Sequence, residues 1–327
     1  MSVVNVIKLH KILGDELAKV ENYLDEFLHF EHQEITDGAL HTLHAGGKRL
    51  RPAVVIMTAS FYNNADKVVP LAAMMELIHM SSLIHDDIID CSPTRRGLAT
   101  LNVTMGPTKA LHTGDYVLIK ALEKVCEMPH GKEIIQILGN LSMEMCYGEV
   151  EQINSMYDTK QTIEDYYYRI NRKTALLIAV CCQVGAVASN ASAQEVQKFY
   201  DIGYNMGMAF QIKDDILDME MSAQELGKPA GSDLAHGIMT LPTILTLQKD
   251  FAEKEYLLDL ISSRFPKGQK QVKEALDIIK KYHGIKEANE YCRRYIEKSK
   301  QLIDELPENK GKKVFKLGAE YVISRGY

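Results

Sequence analysis

The sequence has no surplus of positive charge: 38 lysines and arginines stand against 44 aspartates and glutamates, a net charge of −6. Binding of nucleic acid or an anionic membrane draws on counterion release and surface attraction, which excludes a general partner of either kind. Affinity for an anion must come from local basic clusters. No CxxC spacing occurs among Cys91, Cys126, Cys146, Cys181, Cys182 and Cys292. Adjacent Cys181 and Cys182 are badly placed to bridge each other, which points to reduced core thiols in a cytoplasmic protein. The N-terminal MSVVNVIKLHKILGDELAKV lacks the continuous apolar core of a signal peptide. The longest apolar run, TALLIAVCCQVGAVA, falls short of the roughly 18 to 20 residues of a transmembrane segment. No series of alternating residues marks a sheet.

What is present is helical periodicity. LAAMMELIHMSSLIHDDIID, ALLIAVCCQVGAVA, VQKFYDIGYNMGMAFQIKDDILD and VKEALDIIKKYHGIKEANEYCRRYIEKSKQLIDEL carry apolar residues at intervals of three and four. Gly and Pro punctuate the chain at HAGGKRLRP, CSPTRRG, EMPHGK, GKPAGSD and RFPKG, none of them long enough for a domain linker. The expectation is an all-α protein, one domain over residues 1–327.

DDIID at 86 to 90 and DDILD at 214 to 218 are the same module on distant helices. Helical spacing brings Asp86, Asp87 and Asp90 onto one patch, and Asp214, Asp215 and Asp218 onto another. Carboxylates so close, among apolar neighbours, repel one another or must protonate. A divalent cation relieves both conditions, and hard oxygen ligands suit Mg²⁺ shared with substrate phosphates. Around these acids the chain can set four basic elements: Lys48, Arg49 and Arg51 in GGKRLRP, Arg95 and Arg96, Arg172 and Lys173 before Thr174, and Lys228. Glycine lets backbone approach an anion and Arg grips phosphate bidentately. Two diphosphates fit this arrangement, one on metals and one on bare cations. His79 stands two turns before Asp86 and can donate to a phosphate; His85 reads as structural.

GGKRLRP, LIHDDIIDCSPTRRG, NRKTALL, GMAFQIKDDILD, GKPAGSD and TLP occur in an order and spacing that resembles the trans-isoprenyl (polyprenyl) diphosphate synthases, along nearly the whole chain. The resemblance implies an isoprenoid-synthase helical bundle around a central cavity, usually dimeric. It implies Mg²⁺, three ions per site with substrate bound, on Asp86, Asp87, Asp90 and Asp214, with Asp218 through water. Arg95, Lys173, Thr174, Gln211 and Lys228 would bind the allylic diphosphate. Lys48, Arg51, His79 and Arg96 would bind isopentenyl diphosphate. Asp86, Asp87, Asp90, Lys173, Asp214 and Asp215 would form the catalytic set. The family commonly has a lysine where Ile238 stands, and this departure resembles catalytic subunits of two-component long-chain (hexaprenyl or heptaprenyl) synthases. A homodimer and a heterodimer with a small non-catalytic subunit both remain open.

Short-chain members carry bulky residues at the cavity floor, where this chain has Ser81 and Ser82, with Leu77 and Ile78 a layer below. A helical turn of about 5.4 Å is comparable to one isoprene unit, so an open floor implies products of about thirty to forty carbons, the size of quinone tails. Geranylgeranyl diphosphate is the nearest alternative product. A terpene cyclase or squalene-type synthase shares the first triad, but GGKRLRP and the second triad favour elongation. A phosphohydrolase using His79, His85 and Asp86 leaves the second triad unexplained. An inactive scaffold subunit is disfavoured by the presence of both triads and of Lys48, Lys173 and Lys228.

Overall fold

The computed structural model describes residues 2–220 and 229–324. Helices run in the order α1 (Ser2–Phe27), α2 (Gln33–His44), α3 (Leu50–Ser60), α4 (Val69–Ile89), α5 (Leu101–Thr104), α6 (Pro107–Cys126), α7 (Gly131–Asn154), α8 (Ile163–Ile170), α9 (Leu176–Val187), α10 (Ala193–Glu220), α11 (Ser232–Ala235), α12 (Leu241–Leu247), α13 (Lys254–Ser262), α14 (Gln269–Lys281), α15 (Gly284–Asp304) and α16 (Lys310–Ser324). Their faces explain their places. α9 reads LLIAVCCQVGAV and is buried almost throughout, as a helix apolar on all sides must be. α14 and α15 bury one stripe and stay outside. The single periodic segment expected there breaks at His283, whose φ of 65° ends the pattern before Gly284.

α10 packs on α9 and α15, α4 packs on α6, α3 and α1, and α9 touches both α4 and α10. The two aspartate-bearing helices thereby flank a shared core. Pro70 opens α4 in its first turn, where a missing N–H costs nothing, and Leu71 to Met75 and Leu77 disappear into the interior. Truncating Leu77, fully buried, to alanine costs about 2–5 kcal/mol.

Three expectations need correction. Cys91, Cys126 and Cys146 are exposed; only Cys181, Cys182 and Cys292 are core thiols, and all six are free. Two helical stretches, Ala65–Ile89 and Ile163–Val187, are long and apolar enough to cross a membrane, although most of each apolar window lies inside the bundle, as a core helix requires. The chain also forms a hairpin, Thr94–Arg95 paired antiparallel with Leu98–Ala99. Strands of two residues are too short to show alternation. Its turn residues, Arg96 and Gly97, both have positive φ (51° and 81°), the requirement of a tight hairpin turn.

Candidate active site

The first triad closes α4. Asp90 is the C-terminal cap residue, where the partial negative charge of a helix end repels carboxylates. Burial pushes Asp86 up to about 6; Lys173 opposes, while Glu149 and Asp90 add to the shift. Asp90 is raised by burial too, against Lys173 and with Glu149. Asp87 points elsewhere. It is buried and receives Arg95, whose Nε lies 2.9 and 2.8 Å from its two oxygens and whose Nη2 lies 2.8 Å from Oδ1. The convergence expected for all three carboxylates thus holds for Asp86 and Asp90, because Asp87 is 100° round the helix, facing the hairpin.

The second triad repeats the division in its first two members. Asp214 is half-buried, whereas Asp215 is buried and accepts Tyr166 Oη at 2.7 Å and Gln211 Nε2 at 2.7 Å. Burial, then the charge of Asp233, pushes Asp215 up to about 7, against the hydrogen bonds from Gln211 and Tyr166. Asp218 is buried and accepts the backbone N–H of Asp233 at 3.2 Å. Thr174 donates to Gln211 Oε1 at 2.6 Å, so two residues expected at the allylic diphosphate are joined in one chain ending at Asp215.

Lys173 and Thr174 sit on a single π-helical turn, Asn171–Ala175, between α8 and α9. Such bulges recur at functional sites because they re-aim side chains. Glycines let two helices close on it: a Cβ on Gly148 of α7 would lie 2.7 Å from Arg172 Cβ, and one on Gly207 of α10 would lie 2.7 Å from Ala175 Cα. Lys173 Nζ is 2.8 Å from Glu149 Oε1. Burial lowers its pKa but Glu149, Asp86 and Asp90 outweigh it, so the ammonium is held charged.

A separate basic compartment lies earlier on α4. His79 is buried and driven well below the usual imidazole range, first by burial and then by Arg51, Arg96, Arg95 and Arg49. It is a neutral ring among four guanidinium groups. GGKRLRP is the expected loop-to-helix junction, and a Cβ on Gly47 would lie 2.6 Å from Arg96 Nη1, so the hairpin turn reaches this loop. The hairpin separates its arginines: Arg95 goes to Asp87, Arg96 to the glycine loop. Lys48 is exposed and Arg51 half-buried at the same junction. Arg49 braces the helices instead, pairing with Glu21 and with buried Glu76 at 3.2 Å and donating to Leu43 O at 3.0 Å. Lys228 lies outside the described residues.

Ser81 is buried and donates to Gly114 O on α6 at 2.9 Å; Ser82 donates to His79 O at 2.8 Å. Leu77 and Ile78 are buried below them. His85 packs against Gly114 and lies 3.2 Å from Asp115 Oδ1, on the α6 side, which fits its structural reading. Glu76, Glu149 and Tyr166 escaped the sequence reading. Glu76 lies one turn before His79 on the same helix face, a spacing that could have found it; Glu149 and Tyr166 meet the site only through tertiary packing.

Among the described residues no three His, Cys, Asp or Glu side chains form a metal cage by themselves. Mg²⁺ does not need one, since it takes one or two carboxylates and completes its shell with water and phosphate oxygens. Asp86, half-buried, and Asp90, exposed beside it at a helix C-terminus, repel one another and fit that demand.

A sequence model of the family described as polyprenyl synthetase matches residues 32–279. The chain is 37% identical over 321 residues to heptaprenyl diphosphate synthase component 2 of Geobacillus stearothermophilus, covering 98% of each. It superposes on heptaprenyl diphosphate synthase from Staphylococcus aureus with a TM-score of 0.89 at 35% identity, covering 96% of this chain and 98% of that one. Polyprenyl synthase from Caulobacter crescentus, complexed with calcium and isoprenyl diphosphate, gives a TM-score of 0.91 at 28% identity, with 98% of each chain covered.

Proposed function

From a chain that belongs to the polyprenyl synthetase family, we propose a trans-prenyltransferase that joins isopentenyl diphosphate head to tail onto an allylic diphosphate and makes long all-trans chains. The observation that carries this is the charge pattern along α4. Seven residues apart, about 10 Å along the axis, lie a carboxylate pair with Lys173 and a neutral histidine among arginines. One end suits a diphosphate held with metal, the other a diphosphate held by cations alone.

Arg95, Lys173 and Lys228 hold the allylic diphosphate, with Thr174 and Gln211 beside it. Asp86, Asp90 and Asp214, with Asp218 beside them, would hold Mg²⁺, which would supply Lewis-acid neutralisation of the leaving group. The C1–O bond breaks with its electron pair leaving on the diphosphate, and fixed cations meet the charge as it develops. Lys48, Arg51, His79 and Arg96 hold isopentenyl diphosphate so that its double bond attacks the allylic cation. The new C–C bond leaves a tertiary cation that loses a proton to the released diphosphate, whose oxygens have lone pairs to accept it, and a new double bond forms.

The relative from G. stearothermophilus is named as one component of a heptaprenyl synthase, and we read this chain likewise as a subunit working with a partner. α6 and α7 turn Leu111, Ile119, Met143, Tyr147, Val150 and Ile153 outward, each at least 43% exposed. Met143, Tyr147 and Val150 repeat at helical intervals, a stripe of the kind that marks a protein interface. The test is to incubate the purified chain with Mg²⁺, isopentenyl diphosphate and farnesyl diphosphate, with and without a small non-catalytic subunit, and to measure product length. Products of about six to eight isoprene units are expected. Release of inorganic phosphate without any C–C bond, in both arms, would overturn the proposal.

A further inference from the structure

Two ion pairs tie α7 to the π-helical turn. Glu144 Oε2 meets Arg172 Nε at 2.7 Å, and Glu149 Oε1 meets Lys173 Nζ at 2.8 Å. They look alike in kind but face different surroundings. Arg172 lies over the Tyr168 ring, 3.6 Å from its centroid, on the outer side. Lys173 lies within electrostatic reach of Asp86 and Asp90. The Glu149 carboxylate keeps 24% of its side chain exposed, so it is desolvated only in part and can exchange partners.

We propose that Glu149 is a positioning residue for the allylic diphosphate site, holding the Lys173 ammonium off the Asp86 and Asp90 carboxylates so that both remain open to metal and substrate. This rests on the function proposed above. An ammonium has three donors and no fixed fork. With Glu149 engaging one donor, the other two remain for phosphate oxygens. Without Glu149, the negative charges left acting on Lys173 are those of the two aspartates, and the lysine becomes their counter-ion. It then competes with Mg²⁺ for the same oxygens and is turned away from the diphosphate.

The test compares Glu149→Gln with Glu144→Gln in the full chain, together with any subunit it requires. Farnesyl diphosphate binding is measured by calorimetry at a series of Mg²⁺ concentrations with no isopentenyl diphosphate present, and KM values are measured for both substrates. Glu149→Gln should weaken farnesyl diphosphate binding about tenfold and raise the Mg²⁺ concentration needed for half-maximal binding several-fold. The KM for isopentenyl diphosphate should stay within twofold. Glu144→Gln should change none of these. Glu149→Asp, checked for the same melting temperature, should fall between wild type and Gln. If the two Gln variants behave alike, Glu149 is only a staple between helices and the inference is wrong while the proposed function stands. A wild-type chain that does not bind farnesyl diphosphate with Mg²⁺ overturns both.

Discussion

On α4 the middle aspartate of the triad, Asp87, is gripped by a guanidinium; on α10 the middle aspartate, Asp215, receives only a phenol and a carboxamide among the described residues. Five letters of sequence are almost the same in the two places, yet the inner carboxylate is hydrogen-bonded by a charged donor in one and by neutral donors in the other. The reason lies in what each helix packs against. α4 ends beside a hairpin that supplies Arg95, while α10 runs through the core beside α8, which supplies Tyr166. A DDxxD motif therefore contains two kinds of residue. In both, the first member is half-buried and the second fastens the helix to a neighbour; the last is exposed in Asp90 but buried in Asp218.

The largest expected effect tests the outer positions. Asp86→Asn and Asp214→Asn should each lower turnover about a hundred- to a thousandfold, the scale of removing one electrostatic stabiliser of a developing anion. Steady-state product formation checks this. A change of less than tenfold for Asp214→Asn alone would break the equivalence of the two triads. The next effect separates the inner positions. Asp87→Asn leaves Arg95 without its carboxylate and should cost about 2 kcal/mol of stability, a figure already discounted because the Arg95 side chain is 31% exposed. Asp215→Asn replaces a carboxyl already drawn toward its neutral form by an isostere, and should cost under about 1 kcal/mol. Urea unfolding ranks the pair, and the reverse order would refute the contrast.

Much of this architecture was legible in the residues. Period-3.6 patterning placed α4, α9 and α10 because their burial comes from neighbours along the same helix face, and Gly and Pro marked the breaks between helices. The acid triads were legible for the same reason. Their inner members were not distinguishable, since spacing alone places i+1 near i and i+4 and does not say which neighbour waits there. Arg95 and Arg96 are adjacent in sequence, and only a turn with two positive φ values sends one to Asp87 and the other to Gly47. Glu149 lies 24 residues from Lys173, and their meeting depends on Gly148 admitting the π-helical turn. The exposed thiols show the same limit: Cys126 ends an amphipathic helix whose outer face composition alone does not identify.

A smaller effect contrasts the floors beneath the triads. Ser81 and Ala209 both stand five residues before an Asp-Asp pair, and both are buried. Ala209 O accepts Cys292 Sγ–H at 3.4 Å against α15, whereas Ser81 faces α6. Ser81→Phe should shorten the main product by several isoprene units, and Ser81→Ala, which only removes one hydrogen bond, should leave product length unchanged. Ala209→Val should lower stability with no change in product length. An unshortened product from a folded Ser81→Phe enzyme would end the account of Ser81 as the floor.

The smallest effect probes how Asp215 is held. Tyr166→Phe deletes a 2.7 Å hydrogen bond to a buried carboxyl oxygen, and an unpaired anion there would be costly. Asp215 is already pushed up to about 7, so it can take a proton and escape most of that cost. The expected loss is about 1 kcal/mol, with turnover and both KM values within twofold, because Tyr166 touches neither outer carboxylate. In a double-mutant cycle with Asp215→Asn the coupling should be about 1 kcal/mol or less. An Arg95→Gln and Asp87→Asn cycle should give a larger coupling, since that pair joins opposite charges. Equal couplings would mean that the two inner aspartates are held alike, and that the difference between a guanidinium and a phenol beside a DDxxD motif has no energetic content.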